Sequence, residues 1–344
     1  MSKKANIVSI AEESGFSTTT VSRVLNGLGP KYRISEKTSA LILGIADRLN
    51  YTPNLVAQSL RLKKSNAIGF IVPDISNPFF SNLARVITYE SRKRGYSIIL
   101  ADTKDDCDTE KELLNVLVDR NVDAIIMAPC SNEVKHIEEV RSQGVELLMV
   151  DRYFEDSELP YVTTDNYFGT FEATSFLLDN GHQNIVCVQG STSTTPNKHR
   201  VEGFVDACNT RGIENPIVVG KSFSIQNGYL ETKLLLSSKR YKKPSAILCL
   251  STMTLLGVLK ALKEANLSIP HDVSVISFDN QPFIDYLNPP ITTIAQSIDE
   301  IGTVSINVLI DKLEDDSTDL NLSLKLRPKL IHRDSVKSII DNGI

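Results

Sequence analysis

From Ala67 onward the sequence alternates short apolar runs with longer amphipathic stretches, and this alternation constrains the fold more than any other feature. The runs are Ala67 to Val72, Ser97 to Leu100, Val122 to Met127, Val145 to Val150, Asn184 to Val188, Ala246 to Leu250 and Val273 to Phe278. Between them, Phe80 to Arg94, Thr109 to Asn121, Phe168 to Asn180, Val201 to Arg211 and Leu255 to Ala265 read as helices. Near-continuous apolar strands need cover on both faces. The pattern therefore predicts parallel sheets flanked by helices, and about 280 residues suffice for two such doubly wound lobes.

Ligands of such sheets collect beyond the carboxyl ends of the strands. The residues found there are Asn77, Phe79 and Phe80 after the first run, Asp151 and Arg152 after the fourth, a Ser/Thr-rich loop leading to Arg200, and Asp279 after the last. Rings stack on the apolar faces of a sugar while carboxylates and guanidinium groups hydrogen-bond its hydroxyls. The set suits a polyhydroxylated ligand.

The first 64 residues are of another kind. They carry ten Lys and Arg against four Asp and Glu, whereas the whole chain has a net charge of −5. A basic head on an acidic body suggests a module that meets a polyanion. Within it, Asn6 or Ser9 can cap a helix with Ile7, Ile10 and Ala11 on one face, broken at Gly15. Ser17 caps a second helix, Thr18 to Leu25, with Val21, Val24 and Leu25 inward. Two short helices around a glycine turn form a helix-turn-helix, although a helical subdomain with a solvated polar face fits these residues equally. After the loop Asn26 to Ile34, Ser35 opens a third helix whose stripe of Leu41, Ile42, Ile45, Ala46 and Leu49 is the expected core. A fourth segment, Asn54 to Arg61, is too short to stay helical alone in water and needs a partner to fold.

The blocks "VSIAEESGFSTTTVSRVLNG", "ISEKT" and "LNYTPNLVAQSLR", in this order and spacing, resemble the DNA-binding end of the LacI/GalR family of bacterial regulators. The body resembles the sugar-binding half of the same family and its periplasmic relatives through "IGFIVPDISNPFF", "VDAIIMAP", "LLMVDR", "HRVEGF", "VSVISFDN" and "ITTIAQSIDEIG". The resemblance implies an all-α helix-turn-helix headpiece (residues 1–50), a hinge helix and linker (51–64), and an α/β, periplasmic-binding-protein-like core of two doubly wound parallel sheets (65–344). Lobe one would span about residues 65–165 and 296–326, and lobe two about 166–295 and 327–338. It implies a homodimer on a pseudo-palindromic, double-stranded operator, with a small sugar or sugar phosphate as effector.

Carried over by position, Thr18, Thr19 and Arg23 face base edges, with Ser17, Thr20, Ser22 and Asn26 nearer the phosphates. Arg23 can engage guanine O6 and N7 together, and a Thr methyl can touch thymine. Leu60 stands where the family's hinge helix wedges a leucine into the minor groove, a use suited to an apolar side chain beside Arg61 and Lys63. The implied effector contacts are Asn77, Phe79, Phe80, Asp151, Arg152, Arg200, Phe223, Ser251, Asp279 and Gln296. One departure is clear: Ser251-Thr252 replaces the family's usual Asn-Asp and, with "PKYRISEKT", resembles the fructose and sucrose repressors. Ser191 to Thr195 and Lys198 are candidate donors to a phosphate.

Other classes find less support. No apolar run approaches the roughly 20 residues of a membrane span, and no apolar segment follows the Met-Ser-Lys-Lys-Ala start, so a cytoplasmic protein is expected. The five cysteines are scattered without a Cys-x-x-Cys pair, and the histidines lack zinc-ligand spacing, so neither metal nor cofactor is expected. Asp102, Asp105, Asp106 and Asp108 lack the pattern of a Ca²⁺ loop and read as a solvated stretch before a helix. An enzyme would have to use Asp151 with Asp279, yet neighbouring Arg side chains should hold both ionised, which suits hydrogen bonding over proton transfer. The competing class is a cytosolic sugar-binding or sugar-active α/β protein without DNA function.

Overall fold

The computed structural model describes residues 5–51, 64–130, 133–238, 242–315 and 317–340. The chain divides into two compact units, residues 1–65 and 66–344.

The first unit contains α1 (Ile7–Ser14), α2 (Thr18–Leu25), a 3₁₀ turn (Pro30–Tyr32) and α3 (Glu36–Arg48). Asn6, not Ser9, caps α1. Its Oδ1 accepts from the Ser9 amide at 2.9 Å while Ser9 Oγ accepts from the Asn6 amide at 3.0 Å, and Gly15 closes the helix at φ 74°. Ser17 and Ser35 cap α2 and α3 by accepting from Thr20 and Thr38 amides, both at 3.1 Å. Each such cap contributes about 1 kcal/mol, which matters for helices this short. Ile10, Val21, Val24, Ile42, Ile45 and Ala46 form the core, with Leu49 and Tyr51 at its margin. Leu41 does not join it and is 51% exposed. It lies about 100° round the helix from Ile42, away from the centre of the stripe that Ile45, Ala46 and Leu49 continue. The Asn54–Arg61 segment and Leu60 lie outside the described residues.

The second unit holds two six-stranded sheets. In chain order the first sheet takes β1 (Ala67–Val72), β2 (Ser97–Asp102), β3 (Ala124–Met127), β4 (Glu146–Val150), β5 (Tyr161–Thr164) and β11 (Ser323–Leu326). The second takes β6 (Ile185–Val188), β7 (Ile217–Val219), β8 (Ala246–Cys249), β9 (Ser274–Phe278), β10 (Thr292–Ala295) and β12 (Lys329–Ile331). Their orders are β11-β5-β4-β3-β1-β2 and β12-β10-β9-β8-β6-β7. Pairing is parallel throughout, except that β12 runs antiparallel to β10. Phe70 in β1 sits between Leu100 and Ile126, and Cys187 in β6 opposite Leu248, so apolar side chains stack across the centre of each sheet.

Helices cover both faces, as the apolar strands demand. On the first sheet α4 (Pro78–Lys93) and α11 (Ile298–Glu314) bury Leu83, Ile87, Ile301 and Leu309 against Phe70, Ile126 and Leu148. On its other face α5 (Cys107–Asp119) and α6 (Lys135–Ser142) bury Leu114, Leu117, Ile137 and Val140. The second sheet is covered by α7 (Asn166–Asp179) and α8 (Thr195–Thr210) on one side, and by α9 (Ile225–Ser237) and α10 (Thr252–Glu264) on the other. Helices α9 and α10 touch at Gly257, where a Cβ would fall 2.1 Å from the Ile225 carbonyl. All five cysteines are free, and Cys130, Cys187, Cys208 and Cys249 are buried. No helix among the described residues is long and apolar enough to cross a membrane.

The chain crosses between the lobes three times: after β5, after β10, and between β11 and β12, where only Arg327 and Pro328 intervene. The head's core is small, so one cavity should undo it. Ile42→Ala, a loss of about 2–5 kcal/mol, is expected to expose residues 5–51 to limited proteolysis while the thermal transition of the body stays in place.

Candidate functional site

Because parallel strands end at a common edge, the loops that follow them meet in one place. A cavity of about 330 Å³ lies between the lobes, and all ten residues expected to contact an effector line it: Asn77, Phe79, Phe80, Asp151, Arg152, Arg200, Phe223, Ser251, Asp279 and Gln296. Local structure explains how each is held. Asn77 caps α4, its Oδ1 accepting from the Phe79 amide at 3.0 Å, and Pro78 starts the first turn. This turns Phe79 and Phe80 inward as an edge-to-face pair with centroids 5.0 Å apart. Ser251 caps α10, accepting from the Thr254 amide at 3.2 Å, while Thr254 Oγ1 accepts from the Ser251 amide at 3.1 Å. Phe223 lies on the backbone of Gly190, where a Cβ would stand 2.1 Å from the ring.

Asp151 and Asp279 occupy equivalent corners, each the first residue after a strand, β4 and β9, and each in the left-handed region at φ 62° and φ 73°. Aspartate tolerates this conformation better than most side chains, and such strain gathers at ligand sites. Asp279 is engaged: Gln296 Nε2 donates to Oδ1 at 2.6 Å and the Thr252 amide to Oδ2 at 3.5 Å. Gln296 in turn accepts from Thr164, which ties the lobe crossings to the cavity wall. Arg200 is fixed by donating from Nε to Asn166 Oδ1 and from Nη1 to the Leu250 carbonyl, both at 2.7 Å, with its guanidinium 3.6 Å above the Phe278 ring. Asp151 differs. Its carboxylate accepts no hydrogen bond among the described residues, although the residue is only 6% exposed.

Burial pushes Asp151 up to about 6; Arg200 and Arg152 oppose the shift and Asp279 adds to it. The Arg neighbours favour the ionised form, as the sequence reading expects, but desolvation outweighs them; a group at about 6 is still mostly ionised at pH 7. Burial also lowers Arg200, against the pull of Asp279 and Asp151.

Seven further residues line the cavity: Pro73, Asp74, Lys104, Asp105, Pro196, Ser222 and Ser224. The strand-end rule could have found most of them, because Pro73 and Asp74 follow β1 and Lys104 and Asp105 follow β2. The reading of residues 102–108 as a merely solvated stretch is corrected in part. Asp106 caps α5, accepting from the Thr109 amide at 2.8 Å, but Asp105 receives Arg152 Nη1 at 2.6 Å in the cavity wall. Among the described residues no group of His, Cys, Asp and Glu could hold a metal ion. The Ser191–Thr195 loop and Lys198 do not line this cavity. Ser193, Thr194 and Thr195 border a separate hollow of about 230 Å³, Thr195 donates to the Tyr153 carbonyl, and Lys198 pairs with Glu155.

In the head, Ser17, Thr18 and Thr19 are exposed at the start of α2, and Thr20, Ser22, Arg23 and Asn26 are half-buried. Ser17 and Thr20 hydroxyls lie 2.9 Å apart, and Asn26 Nδ2 donates to the Ser22 carbonyl at the helix end. The Arg23 guanidinium stacks 3.9 Å over Tyr32, a contact the sequence did not signal. Stacking covers one face of the group and leaves its in-plane N–H edge for an acceptor.

A carboxyl group raised from near 3.8 to about 6 on folding makes the native state hold more protons than the unfolded chain between these values. Stability therefore falls as pH rises from about 4 to about 6, and above that the penalty stays at up to about 3 kcal/mol. Asp151→Asn is expected to remove this slope, so that denaturation curves of the variant and the parent converge near pH 4 and separate above pH 6, the variant being the more stable.

Residues 6–54 match the family model described as bacterial regulatory proteins, lacI family, and residues 174–336 that of a periplasmic binding protein-like domain. The chain is 33% identical over 304 residues to the HTH-type transcriptional regulator DegA of Bacillus subtilis, covering 87% of this chain and 88% of that protein. It is 32% identical over 328 residues to the ribose operon repressor of Halalkalibacterium halodurans, covering 95% and 96%. A LacI family regulator from Enterococcus faecium with bound ribose superimposes at a TM-score of 0.73 with 32% identity, covering 79% of this chain and 99% of that one. Helix-turn-helix head, two-lobed core and relatives of matching length agree: the chain belongs to the LacI family of bacterial transcriptional regulators, DNA-binding repressors with an effector-binding core and not enzymes.

Proposed function

We propose that the protein is a homodimeric repressor that grips a pseudo-palindromic, double-stranded operator in the bacterial cytoplasm and that a small neutral sugar in the cavity between its lobes sets that grip. The observation that carries the effector half is the Asp151 carboxylate: buried, without a hydrogen-bond donor among the described residues, and flanked by Arg200 and the Phe79–Phe80 pair. A carboxylate in that state, lining the cavity with no protein donor among the described residues, can accept from a ligand hydroxyl. Charge favours a neutral ligand over a phosphate. Asp74, Asp105, Asp151 and Asp279 outnumber Lys104, Arg152 and Arg200 in the wall, and the loop proposed for phosphate lies elsewhere. Ribose, carried by a relative of similar fold, is the first probe to try. Nearness to the fructose and sucrose repressors gains no support from the similar proteins, among them DegA, PurR and ribose operon repressors.

On the head, Thr18, Thr19 and Arg23 are the proposed base-reading side chains, with Ser17, Thr20, Ser22 and Asn26 at the backbone and Leu60 in the minor groove. Dimerisation has a candidate surface in the first lobe. Tyr89 on α4 and Leu100 on the edge strand β2 are 60% and 44% exposed and would be covered by a second copy docked on this side. The effector acts by binding one lobe arrangement better than the other, and the equilibrium shifts by that difference in affinity.

Selection of bound fragments from a random duplex pool, with and without ribose, tests this reading. A two-fold symmetric site whose retention changes with the sugar is the expected result; indifference to every duplex at low salt would sink the proposal. Operator affinity should fall about 10³ to 10⁵-fold between 50 and 200 mM salt if six to ten phosphates are neutralised. Arg23→Ala is expected to cost about 1–3 kcal/mol on the selected site and to relax preference at a single base pair, measured by competition binding against single-base variants.

A further inference from the structure

The loop between β2 and α5 holds two successive non-glycine residues in the left-handed region, Lys104 at φ 53° and Asp105 at φ 57°. It is tied down at each step. The Lys104 amide donates to Asp102 Oδ1 at 2.9 Å, the Asp105 amide donates to the Pro73 carbonyl at 2.8 Å, and Asp106 caps the helix that follows. So anchored, the loop sets the Asp105 carboxylate 2.6 Å from Arg152 Nη1, whose side chain is 7% exposed while that of Asp105 is 47% exposed. The same Nη1 reaches the Pro129 carbonyl at 3.4 Å. The cavity's other guanidinium, Arg200, is already spent on Asn166, Leu250 and Phe278.

We infer that Asp105 is the residue that selects uncharged over anionic ligands, by holding the Arg152 guanidinium in a pair that an incoming phosphate or carboxylate would have to break. A planar guanidinium with a free edge is the usual receptor for such oxyanions. Here an exposed carboxylate on a strained but well-anchored loop occupies one of its N–H groups in advance. An anion that reached Arg152 would also lie beside the negative charge of Asp105, in a wall where acidic groups already outnumber basic ones. Remove that charge without changing the shape, and the same Arg152 becomes an anion receptor. The inference rests on the reading of this cavity as the effector site and names the residue that fixes the charge of what it takes.

The test compares the full-length protein with Asp105→Asn, Asp105→Glu and the double variant Asp105→Asn with Arg152→Gln. Isothermal titration is run with ribose, ribose 5-phosphate and inorganic phosphate. In Asp105→Asn, affinity for inorganic phosphate and the ratio of ribose 5-phosphate to ribose affinity should each rise at least about tenfold. Asp105→Glu should stay with the parent, and the double variant should lose the gain. The inference is overturned if Asp105→Asn binds neither anion more tightly than the parent, if Asp105→Glu shifts as far, or if the gain survives loss of Arg152. Inorganic phosphate separates this outcome from failure of the functional reading. A parent silent to ribose, with Asp105→Asn still gaining phosphate through Arg152, would reject ribose as effector and uphold the role of Asp105.

Discussion

Parallel strand pairing is the constraint from which the rest of the body follows. Strands that run the same way end at the same edge, so each sheet delivers its β-to-α loops to one side, and ten of the cavity residues sit within a few positions of a strand end. The same pairing requires a helix between successive strands, which gives both sheet faces their cover. The three chain crossings, one made by only Arg327 and Pro328, then hold the two edges opposite each other. A cleft between lobes is thus a product of topology, and side chains supply only its chemistry.

That chemistry is asymmetric despite the repeated architecture. Asp151 and Asp279 take the same corner in the two lobes with the same backbone hand, but only Asp279 has its carboxylate satisfied, by Gln296 and the Thr252 amide. The first lobe therefore presents an unmet acceptor and the second a preset one. A hydroxyl donor placed at Asp151 would meet the acceptor of the first lobe and leave the Asp279 pair of the second in place.

Much of this was legible in the sequence, for reasons that can be named. The central strands were readable because burial on both faces makes them apolar without interruption, as in Ile68 to Val72, Ile185 to Val188 and Ala246 to Cys249. Five strands were not: β5 and β10, buried but rich in threonine, and the edge strands β7, β11 and β12, which are short and only half-buried. Helix starts were placed too late, at Phe80 for Pro78 and at Val201 for Thr195, because a capped first turn is polar or begins with proline and breaks the apolar period. Asp105 was passed over because a run of aspartates looks solvated until the fold brings Arg152 to it from another strand, a meeting of residues 47 apart. The Arg23–Tyr32 stack was hidden for the same reason, a loop contact without periodicity.

Three of the cavity's polar side chains, Asn77, Ser224 and Ser251, also serve as the N-caps of α4, α9 and α10. Their replacement is restricted to short side chains that can accept from a helix amide, essentially Asn, Asp, Ser and Thr. Every member of that set can also meet a hydroxyl. A substitution that retunes the ligand at any of these three positions therefore also acts on helix initiation, so ligand preference and helix stability are tied to the same side chains.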